Sequence, residues 1–281
     1  MHKIIVIVGQ TASGKSELAV KVAKRVNGSI ISCDSRQVYR GLSLGSGKVP
    51  LDAQGQYKGV DHYGLNIASP KRVYTAAMFQ RYAQNVIQKI IKQGKTPILC
   101  GGTGLWIDAV VYGQAFPEVS PEPTLRKQLS KKTLPELQAL LKKLDKSRYK
   151  NIDTKNSHRL IRAIEIAKTL GKVPKLTKPK PKYDTFFMAP KINQEDLDKK
   201  ILKRLKQRIS QGLIREVKTL LKQGITHKRL QTLGLEYKYV SLYLQNKLSK
   251  KELIETLATK IRQYSRRQLT WFKRNKSIHW V

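Results

Sequence analysis

The segment Gly9–Ser16, with the sequence GQTASGKS, constrains the fold of this chain more than any other feature. It fits the pattern G-x-x-x-x-G-K-[ST], in which glycines let backbone N–H groups turn around phosphate oxygens. It follows the apolar run Lys3–Val8 and precedes a helical pattern that extends to about Arg25. Because a phosphate loop of this type lies between a buried strand and a helix, the segment predicts a P-loop in an α/β sheet.

Strands and helices alternate along the N-terminal part of the chain. Apolar runs at Ser29–Cys33 and Thr96–Cys100 predict two more buried strands, and Val73–Lys92 has the apolar spacing of a helix. The segment Gly41–Pro70 is rich in glycine and polar residues, so we expect a loop there. Alternation of this kind is typical of a parallel sheet that is covered by helices.

The pattern changes near Gly113, where this alternation stops. Basic helical segments at Leu125–Leu144 and Asn156–Thr169 follow a proline-rich stretch, and the Lys/Pro run Gly171–Lys182 predicts an extended linker. We therefore expect a helical insertion at residues 113–182.

The core pattern returns after the linker. Thr185–Met188 predicts a last core strand, and from Glu195 onward the sequence is helical and basic, with a break at Gly224. The predicted fold class is α/β: a P-loop core with a parallel sheet and flanking helices, plus an α-helical insertion domain. In this prediction residues 1–112 and 183–281 form the catalytic core.

Charge is the strongest signal in the composition. The chain has 56 Lys and Arg against 19 Asp and Glu, a formal net charge of +37. Self-repulsion at this level opposes folding, so the excess indicates a polyanionic partner; a generally basic or salt-rich proteome is the alternative. The stretch Lys260–Lys276 mixes basic and aromatic residues, as RNA-binding segments do. We expect its aromatic residues Tyr264, Trp271 and Phe272 to pack inward while its charges face RNA.

Cysteine usage and the start of the chain bear on location. Cys33 and Cys100 each end an apolar run, which favours buried free thiols in a reducing cytosol over a disulfide. Met1-His2-Lys3 leads directly into a strand, so we expect no signal peptide, and no apolar stretch is long enough to span a bilayer. These features predict a cytoplasmic protein without a membrane partner.

An acid, Asp34, follows the strand Ser29–Cys33, at the sheet edge where open α/β sheets bind ligands. It is a candidate Mg²⁺ ligand or general base, and the competing interpretation is an acid that caps a turn. The segment Asp34–Tyr39 adds hydroxyl, amide and guanidinium groups that suit a nucleobase. Ser16 is a candidate Mg²⁺ ligand in the loop. Gly101–Gly104 predicts a second ligand edge, a tight strand-to-helix turn, or both.

Two arginines, Arg204 and Arg208, lie one helical turn apart and could place guanidinium groups on a diphosphate. Spacing alone favours a solvated basic face for both. The histidines, among them His62 and His158, show no metal-ligand spacing and receive no role from the residues alone.

Seven sequence blocks occur in an order that one known family shares. They are GQTASGKS (Gly9–Ser16), DSRQVYRG (Asp34–Gly41), GSGKVP (Gly45–Pro50), PILCGGTGLWI (Pro97–Ile107), NSHRLIRAIE (Asn156–Glu165), KRLKQRISQGLIREV (Lys203–Val217) and RRQLTWFKR (Arg266–Arg274). In order and content they resemble the tRNA dimethylallyltransferases, also called tRNA isopentenyltransferases. Several blocks along nearly the whole chain are far more specific than a phosphate loop alone.

The resemblance implies a substrate for the loop. In that family it holds the diphosphate of the prenyl donor, so the implied partners are dimethylallyl diphosphate and tRNA. The implied reaction transfers the dimethylallyl group to the N6 amine of the adenosine 3′ to the anticodon, in the anticodon stem-loop. It also implies a Mg²⁺ ion at Ser16, and we expect a monomer. The residues implied to bind diphosphate are Gly9, Gln10, Thr11, Ala12, Ser13, Gly14, Lys15 and Ser16.

The resemblance also assigns residues to catalysis and tRNA binding. Asp34 matches the acid that takes a proton from the adenine amine, and Thr103 matches a threonine where donor and base meet. Arg204 matches an arginine on the diphosphate. The residues implied to contact tRNA are Asp34, Ser35, Arg36, Gln37, Thr103, Arg126, Asn156, Ser157, His158, Arg159 and Leu160.

The chain departs from the family pattern at a few positions. Gln10 stands where Pro is usual, at a place whose side chain the phosphate cradle does not need, and Asn66 replaces an Asp. Ile209 replaces a common Met, and Gly234–Tyr237 replaces the commoner Gly-Tyr-Lys-Glu.

Two rival interpretations stay open on the residues alone. A P-loop nucleoside or small-molecule kinase explains the loop and Asp34, but not the charge. A non-catalytic basic RNA-binding protein explains the charge, but makes an intact loop accidental.

Overall fold

The computed structural model of the 281-residue chain describes residues 2–174 and 180–281. The described residues divide into two units: one comprises residues up to 113 and from 180 onward, and the other residues 114–174. The predicted linker Gly171–Lys182 falls partly on residues outside the described ranges. Of the described helices, none has both the length and the apolarity needed to cross a bilayer.

A seven-stranded sheet lies at the centre of the described part of the first unit. Its strands are β1 (Lys3–Val8), β2 (Gly28–Ser32), β3 (Gln56–Tyr57), β4 (Val60–Tyr63), β5 (Thr96–Gly101), β6 (Asp184–Ala189) and β7 (Ile278–Trp280). They lie in the order β3-β4-β2-β5-β1-β6-β7, and every pairing is parallel except that of β3 with β4. The mostly parallel sheet confirms the predicted α/β class.

The strand β1 is central because its apolar run is almost continuous, as strands covered on both faces require. Val6 lies between Leu99 of β5 and Phe187 of β6. Since parallel strands end at the same edge, the carboxyl ends of β1, β2 and β5 bring Gly9, Asp34 and their neighbours together.

Helices cover both faces of this sheet. They are α1 (Lys15–Arg25), α2 (Ala76–Lys92), α3 (Gly104–Tyr112), α8 (Gln194–Ser210), α9 (Leu213–Lys222), α10 (His227–Leu233), α11 (Leu235–Tyr243) and α12 (Lys250–Phe272), with α4 to α7 in the second unit. Ile7 packs with α1 in one apolar cluster, whereas Val6 and Val8 belong to the other. The split follows from the alternation of side chains along a strand.

The second unit has its own leucine-rich core. Its helices are α4 (Pro123–Leu129), α5 (Leu134–Leu144), α6 (Lys146–Lys150) and α7 (Ser157–Leu170). The predicted single helical segment Leu125–Leu144 is therefore wrong, because a new helix starts inside it. Thr133 and Glu136 form a capping box that begins α5.

Two further expectations need correction. The expected loop Gly41–Pro70 contains β3 and β4, and the expected helical C-terminus ends in β7. Both errors concern short strands at or near the sheet edges, whose extended conformation depends on pairing with the neighbouring strand. Ile30 pairs with His62, and Phe187 pairs with Ile278. A two- to four-residue strand has too little alternation of its own to be recognised.

Candidate active site

The loop from Gly9 to Ser16 joins β1 to α1 through two left-handed residues. Ala12 has a φ of +64°, and Gly14 has a φ of +92° at the N-cap of α1. Glycine adopts such a conformation without strain, which explains the second glycine of the pattern. The first turn of α1 leaves backbone N–H groups without helical partners, at the end of the dipole that favours an anion.

A cavity of about 690 Å³ adjoins this loop, a size usual for small-molecule sites. Its walls come from the loop, the segment after β2, residues 45–50, and helices α8, α11 and α12. The basic residues on its walls are Lys15, Arg36, Lys48, Lys200, Arg204, Arg208 and Lys238, and the acidic ones are Glu17, Asp34 and Glu236. Cations outnumber carboxylates, so the cavity suits an anionic ligand.

Lys15 is the basic residue that the loop itself contributes. Its Nζ donates to the Gln10 carbonyl at 3.2 Å. Burial lowers the pKa of Lys15, and repulsion from Arg204 and Arg208 lowers it further, against the opposing pull of Cys100 and Asp34. A bound anion would relieve this repulsion, so the site as built favours one.

Lys48 is a second crowded cation, which the sequence did not indicate. Its Nζ donates to the Tyr39 carbonyl at 2.8 Å and to the Asn66 side-chain oxygen at 2.6 Å. Burial lowers the pKa of Lys48 to about 8, although Glu216 and Asp34 partly oppose the shift. Asn66 offers a neutral acceptor, so it does not hold the proton on Lys48 as a carboxylate would.

Asp34 lies on the cavity wall at the end of β2. Its Oδ1 accepts from the N–H of Arg36 at 2.8 Å and from the N–H of Gln37 at 3.4 Å. Its Oδ2 has no hydrogen-bond partner within residues 2–174 and 180–281. One carboxylate oxygen therefore serves the turn, as the competing interpretation expected, and the other is available for chemistry.

Thr103 lies beside this segment and not among the residues that line the cavity. Its Oγ1 accepts from the N–H of Ser35 at 3.1 Å, and its own N–H donates to the Cys33 carbonyl at 3.3 Å. In this geometry Thr103 holds the position of the segment that carries Asp34.

The side chains of Arg36 and Gln37, which follow Asp34 in the sequence, make hydrogen bonds within the protein. Arg36 donates to the Thr232 carbonyl at 3.0 Å. The Gln37 amide accepts from Ser32 at 2.9 Å and donates to the carbonyls of Ser46 and Gly47, each at 3.3 Å. The Gln37 side chain therefore shapes the cavity wall, and its contact with tRNA stays a prediction.

Arg204 and Arg208 both line the cavity. Arg204 is exposed to solvent, as their spacing favoured, whereas Arg208 is half-buried. Arg208 is 15% exposed and lies 3.4 Å from Glu236, which is 16% exposed. Burial raises the pKa of Glu236, and Arg208 partly opposes the shift. The segment Gly234–Tyr237 thus places a carboxylate in the cavity, whereas Tyr237 is buried and donates to Glu216 at 2.8 Å.

Helix α12 contributes a face to the cavity that the sequence analysis missed. Ile261, Tyr264 and Gln268 line it at helical spacing, which is the signal that could have identified them. The expectation that all three aromatic residues pack inward is right for Phe272, which is 4% exposed. It is wrong for Tyr264, which is 37% exposed and lies under Arg267.

The insertion residues assigned to tRNA differ in what they can offer. Arg126 makes two hydrogen bonds to Glu165, at 2.9 and 2.7 Å, so its guanidinium is already paired. The Asn156 side chain caps α7 by accepting from the Arg159 N–H at 3.2 Å. Leu160 is fully buried, so its side chain cannot reach a ligand, whereas Ser157, His158 and Arg159 are exposed.

Known proteins resemble this chain in sequence and in structure. The sequence model of the family described as IPP transferase matches residues 37–275. tRNA dimethylallyltransferase 2 of Shewanella sediminis (strain HAW-EB3) is 40% identical over 282 residues, covering 99% of this chain and 92% of the relative.

Solved structures give the same result. The tRNA delta(2)-isopentenylpyrophosphate transferase of Staphylococcus epidermidis has a TM-score of 0.72 at 35% identity, covering 100% of this chain and 93% of that one. A eukaryotic dimethylallyltransferase acting on tRNA has a TM-score of 0.79, covering 97% of this chain and 70% of its own. At 24% identity, this second likeness shows the fold alone.

Proposed function

Because this chain belongs to the IPP transferase family, as its sequence blocks indicated, we propose that it is a tRNA prenyltransferase. It transfers the dimethylallyl group of dimethylallyl diphosphate to the N6 amine of the adenosine 3′ to the anticodon. The observation that carries the proposal is the cavity, in which the carboxylate Asp34 faces a surplus of cations beside the phosphate loop.

The donor diphosphate is bound by the loop Gly9–Ser16, with Lys15 and Arg204 as its cationic partners. Both side chains line the cavity. Burial and the two neighbouring arginines lower the pKa of Lys15, and a bound anion would favour its charged form. As the allylic carbon–oxygen bond breaks, the leaving diphosphate gains negative charge. Cations fixed in advance around it stabilise the transition state more than the bound substrate.

Asp34 is the general base in this mechanism. The adenine N6 attacks the allylic carbon, the carbon–oxygen bond breaks with its electron pair leaving on diphosphate, and an N6 proton passes to Asp34. The oxygen without an internal hydrogen bond is the one that accepts it. Thr103 positions this carboxylate through its contact with Ser35. The adenine must leave the stack of the anticodon loop to reach the cavity.

Magnesium fits the residues of this site. Ser16, Asp34 and Glu236 supply oxygen donors on the cavity wall, and Mg²⁺ prefers oxygen ligands shared with phosphates. Groups of three or more His, Cys, Asp or Glu that could hold a metal by themselves do not occur among the described residues. Ser16 would hold the ion together with the diphosphate, where it would neutralise charge on the leaving group.

tRNA is the polyanion that the net charge of +37 favours. The proposed contacts are Ser35, Arg36 and Gln37 after β2, and the exposed start of α7 in the insertion, residues 113–182. A tRNA substrate implies a cytoplasmic enzyme. We propose that a monomer is active.

Product analysis tests the proposal and separates it from its rivals. Purified protein is incubated with dimethylallyl diphosphate, Mg²⁺ and unmodified tRNA, and the digested tRNA is examined for N6-dimethylallyladenosine by mass spectrometry. The expected result is one modified adenosine per tRNA without ATP. ATP consumption with a nucleoside and no prenylated product would indicate a kinase, and tight tRNA binding without any product would indicate a non-catalytic protein.

A further inference from the structure

Two side-chain amides join helix α12 to the phosphate loop by hydrogen bonds. Neither amide has a role in the mechanism proposed above. Gln268, on the helix, reaches the loop, and Gln10, in the loop, reaches the helix. Both side chains are buried, at 6% and 5% exposure. The contacts join residues more than 250 positions apart in the chain.

The Gln268 amide spans two glycine-containing segments at the sheet edge. Its oxygen accepts from the Thr11 N–H at 2.8 Å, and its nitrogen donates to the Gly102 carbonyl at 2.9 Å. A donor on one side and an acceptor on the other fix the orientation of the amide. A side chain at Gly102 would collide with this nitrogen, since a Cβ there would lie 2.3 Å from it. The space is therefore fitted to the Gln268 amide.

Gln10 supplies the second tie from the opposite direction. Its nitrogen donates to Ser265 Oγ at 2.9 Å and to the Ser265 carbonyl at 3.3 Å. Ser265 is fully buried one turn before Gln268. A side chain without a donor at the position of Gln10 could not make these bonds. Gln10 therefore adds a second tie between the phosphate loop and α12.

Both ties act on backbone that a phosphate must meet. Thr11 lies in the cavity wall, and the Gln10 carbonyl accepts from Lys15 Nζ. If these atoms are held in position before the ligand binds, less conformational entropy is lost on binding. Stabilisation of a leaving diphosphate depends even more on position, because its new charge must find donors already in place.

From this geometry we infer that Gln268 is a positioning residue for the phosphate loop, with Gln10 and Ser265 as a second tie. The inference deepens the proposed function and rests on it for the identity of the ligand. It makes α12 part of the donor site through two amides that hold the phosphate loop by hydrogen bonds. Neither amide is a catalytic residue.

The test compares Gln268→Met with Gln263→Met, an exposed glutamine on the same helix. Binding of inorganic diphosphate is measured by calorimetry, and the single-turnover rate of transfer is measured at saturating donor and tRNA. Gln268→Met should weaken diphosphate binding about tenfold, as expected for two lost buried hydrogen bonds, and should lower the rate by a larger factor. Gln263→Met should change neither.

Variants of the second tie keep the test decisive if Gln268→Met does not fold. Gln10→Met removes both hydrogen bonds from Gln10 to Ser265, and Ser265→Ala removes the one to Ser265 Oγ. Each variant should weaken diphosphate binding about threefold. A purely structural role would lower the melting temperature of these variants while the folded protein kept wild-type affinity and rate, and that result overturns the inference. Diphosphate binding needs no tRNA. A wild-type protein without prenylated product would therefore refute the proposed function and leave this measurement intact.

Discussion

Two acidic centres in this molecule are built in opposite ways. In the insertion, Glu165 is 1% exposed, and its two oxygens accept four hydrogen bonds, from the Glu122 N–H, from Arg126 twice and from Arg162. In the cavity, Asp34 has one oxygen without a partner among the described residues, and Glu236 has a single long contact with Arg208. The first carboxylate is saturated and the other two are not.

The pKa values of Glu165 and Glu236 follow the same contrast. Burial alone would raise the pKa of Glu165, but its hydrogen bonds from Arg126, Glu122 and Arg162 outweigh burial and lower the pKa to about 2. The pKa of Glu236 rises because burial outweighs the opposing effect of Arg208 and Arg36. A saturated acid contributes to stability, whereas an unsaturated acid in a cavity is available to a ligand. The contrast predicts that variants of the two regions will separate stability from activity.

The largest effect is expected on the cavity side, from Lys15→Ala. Transfer should become undetectable because the loop loses its charge on the diphosphate, while tRNA affinity stays nearly intact. Burial lowers the pKa of Lys15, so folding disfavours its charge, and the melting temperature should hold or rise slightly. The matched control is Lys24→Ala on the exposed face of α1. Equal losses of activity and tRNA affinity would contradict the division of roles.

The insertion should respond in the opposite sense. Glu165→Gln leaves Arg126 and Arg162 without their charge partner, which should cost about 3 kcal/mol of unfolding free energy. Chemical denaturation measures the loss, and the single-turnover rate of the folded variant should stay within about threefold of wild type. Glu136→Gln, at an exposed capping box, is the control and should lose less stability.

The pH dependence of the Glu165 variant sharpens this prediction. A lowered folded pKa means that the stabilisation is present above the unfolded pKa near 4.5 and disappears as the pH falls towards about 2. The stability difference between wild type and Glu165→Gln should therefore shrink below pH 4. A difference that grows on acidification would refute the saturated ion pair.

A smaller, pH-dependent effect is expected at Lys48. A bound diphosphate should raise the pKa of Lys48 from about 8, so binding takes up protons and weakens as the pH rises through 8. Between pH 7 and 9 the wild type should lose several-fold more diphosphate affinity than Lys48→Arg, whose guanidinium stays charged. Parallel pH profiles would show that Lys48 has no electrostatic role in donor binding.

The smallest effect is expected on the basic surface of α12 and the residues after it. Neutralising Lys273 and Arg274 together should weaken binding of different tRNAs alike, since phosphate contacts carry little sequence information. The slope of log affinity against log salt should fall by about 1 to 2. A wild-type slope near zero would remove RNA as the explanation of the net charge.

Sequence reasoning reached the parts of the fold with strong local signals. The phosphate loop, β1, β2 and β5 combine long apolar runs with residues that permit a sharp turn, so their placement could be predicted. The ends of the sheet could not, because β4 and β7 depend on pairing with β2 and β6 rather than on their own pattern.

The candidate site divides in the same way. Asp34 and Lys15 were recognisable because the sheet edge and the loop place them without help from distant residues. Lys48, Glu236 and Gln268 were not, because their roles arise only where segments distant in sequence meet. The pattern of the loop does not indicate a role for the Gln10 side chain, because its partner Ser265 lies on α12.

The most direct test of Asp34 as the general base is the single-turnover rate of Asp34→Asn at saturating donor and tRNA. Asn keeps the shape and one oxygen for the turn, but it cannot take a proton. We expect the rate to fall by about two to four powers of ten, with donor and tRNA affinities and the melting temperature changed little. A loss of Mg²⁺ dependence or diphosphate affinity would instead make Asp34 a metal ligand. A rate near wild type, with or without a loss of about 1 kcal/mol in stability, would reduce it to a turn residue and contradict the central claim.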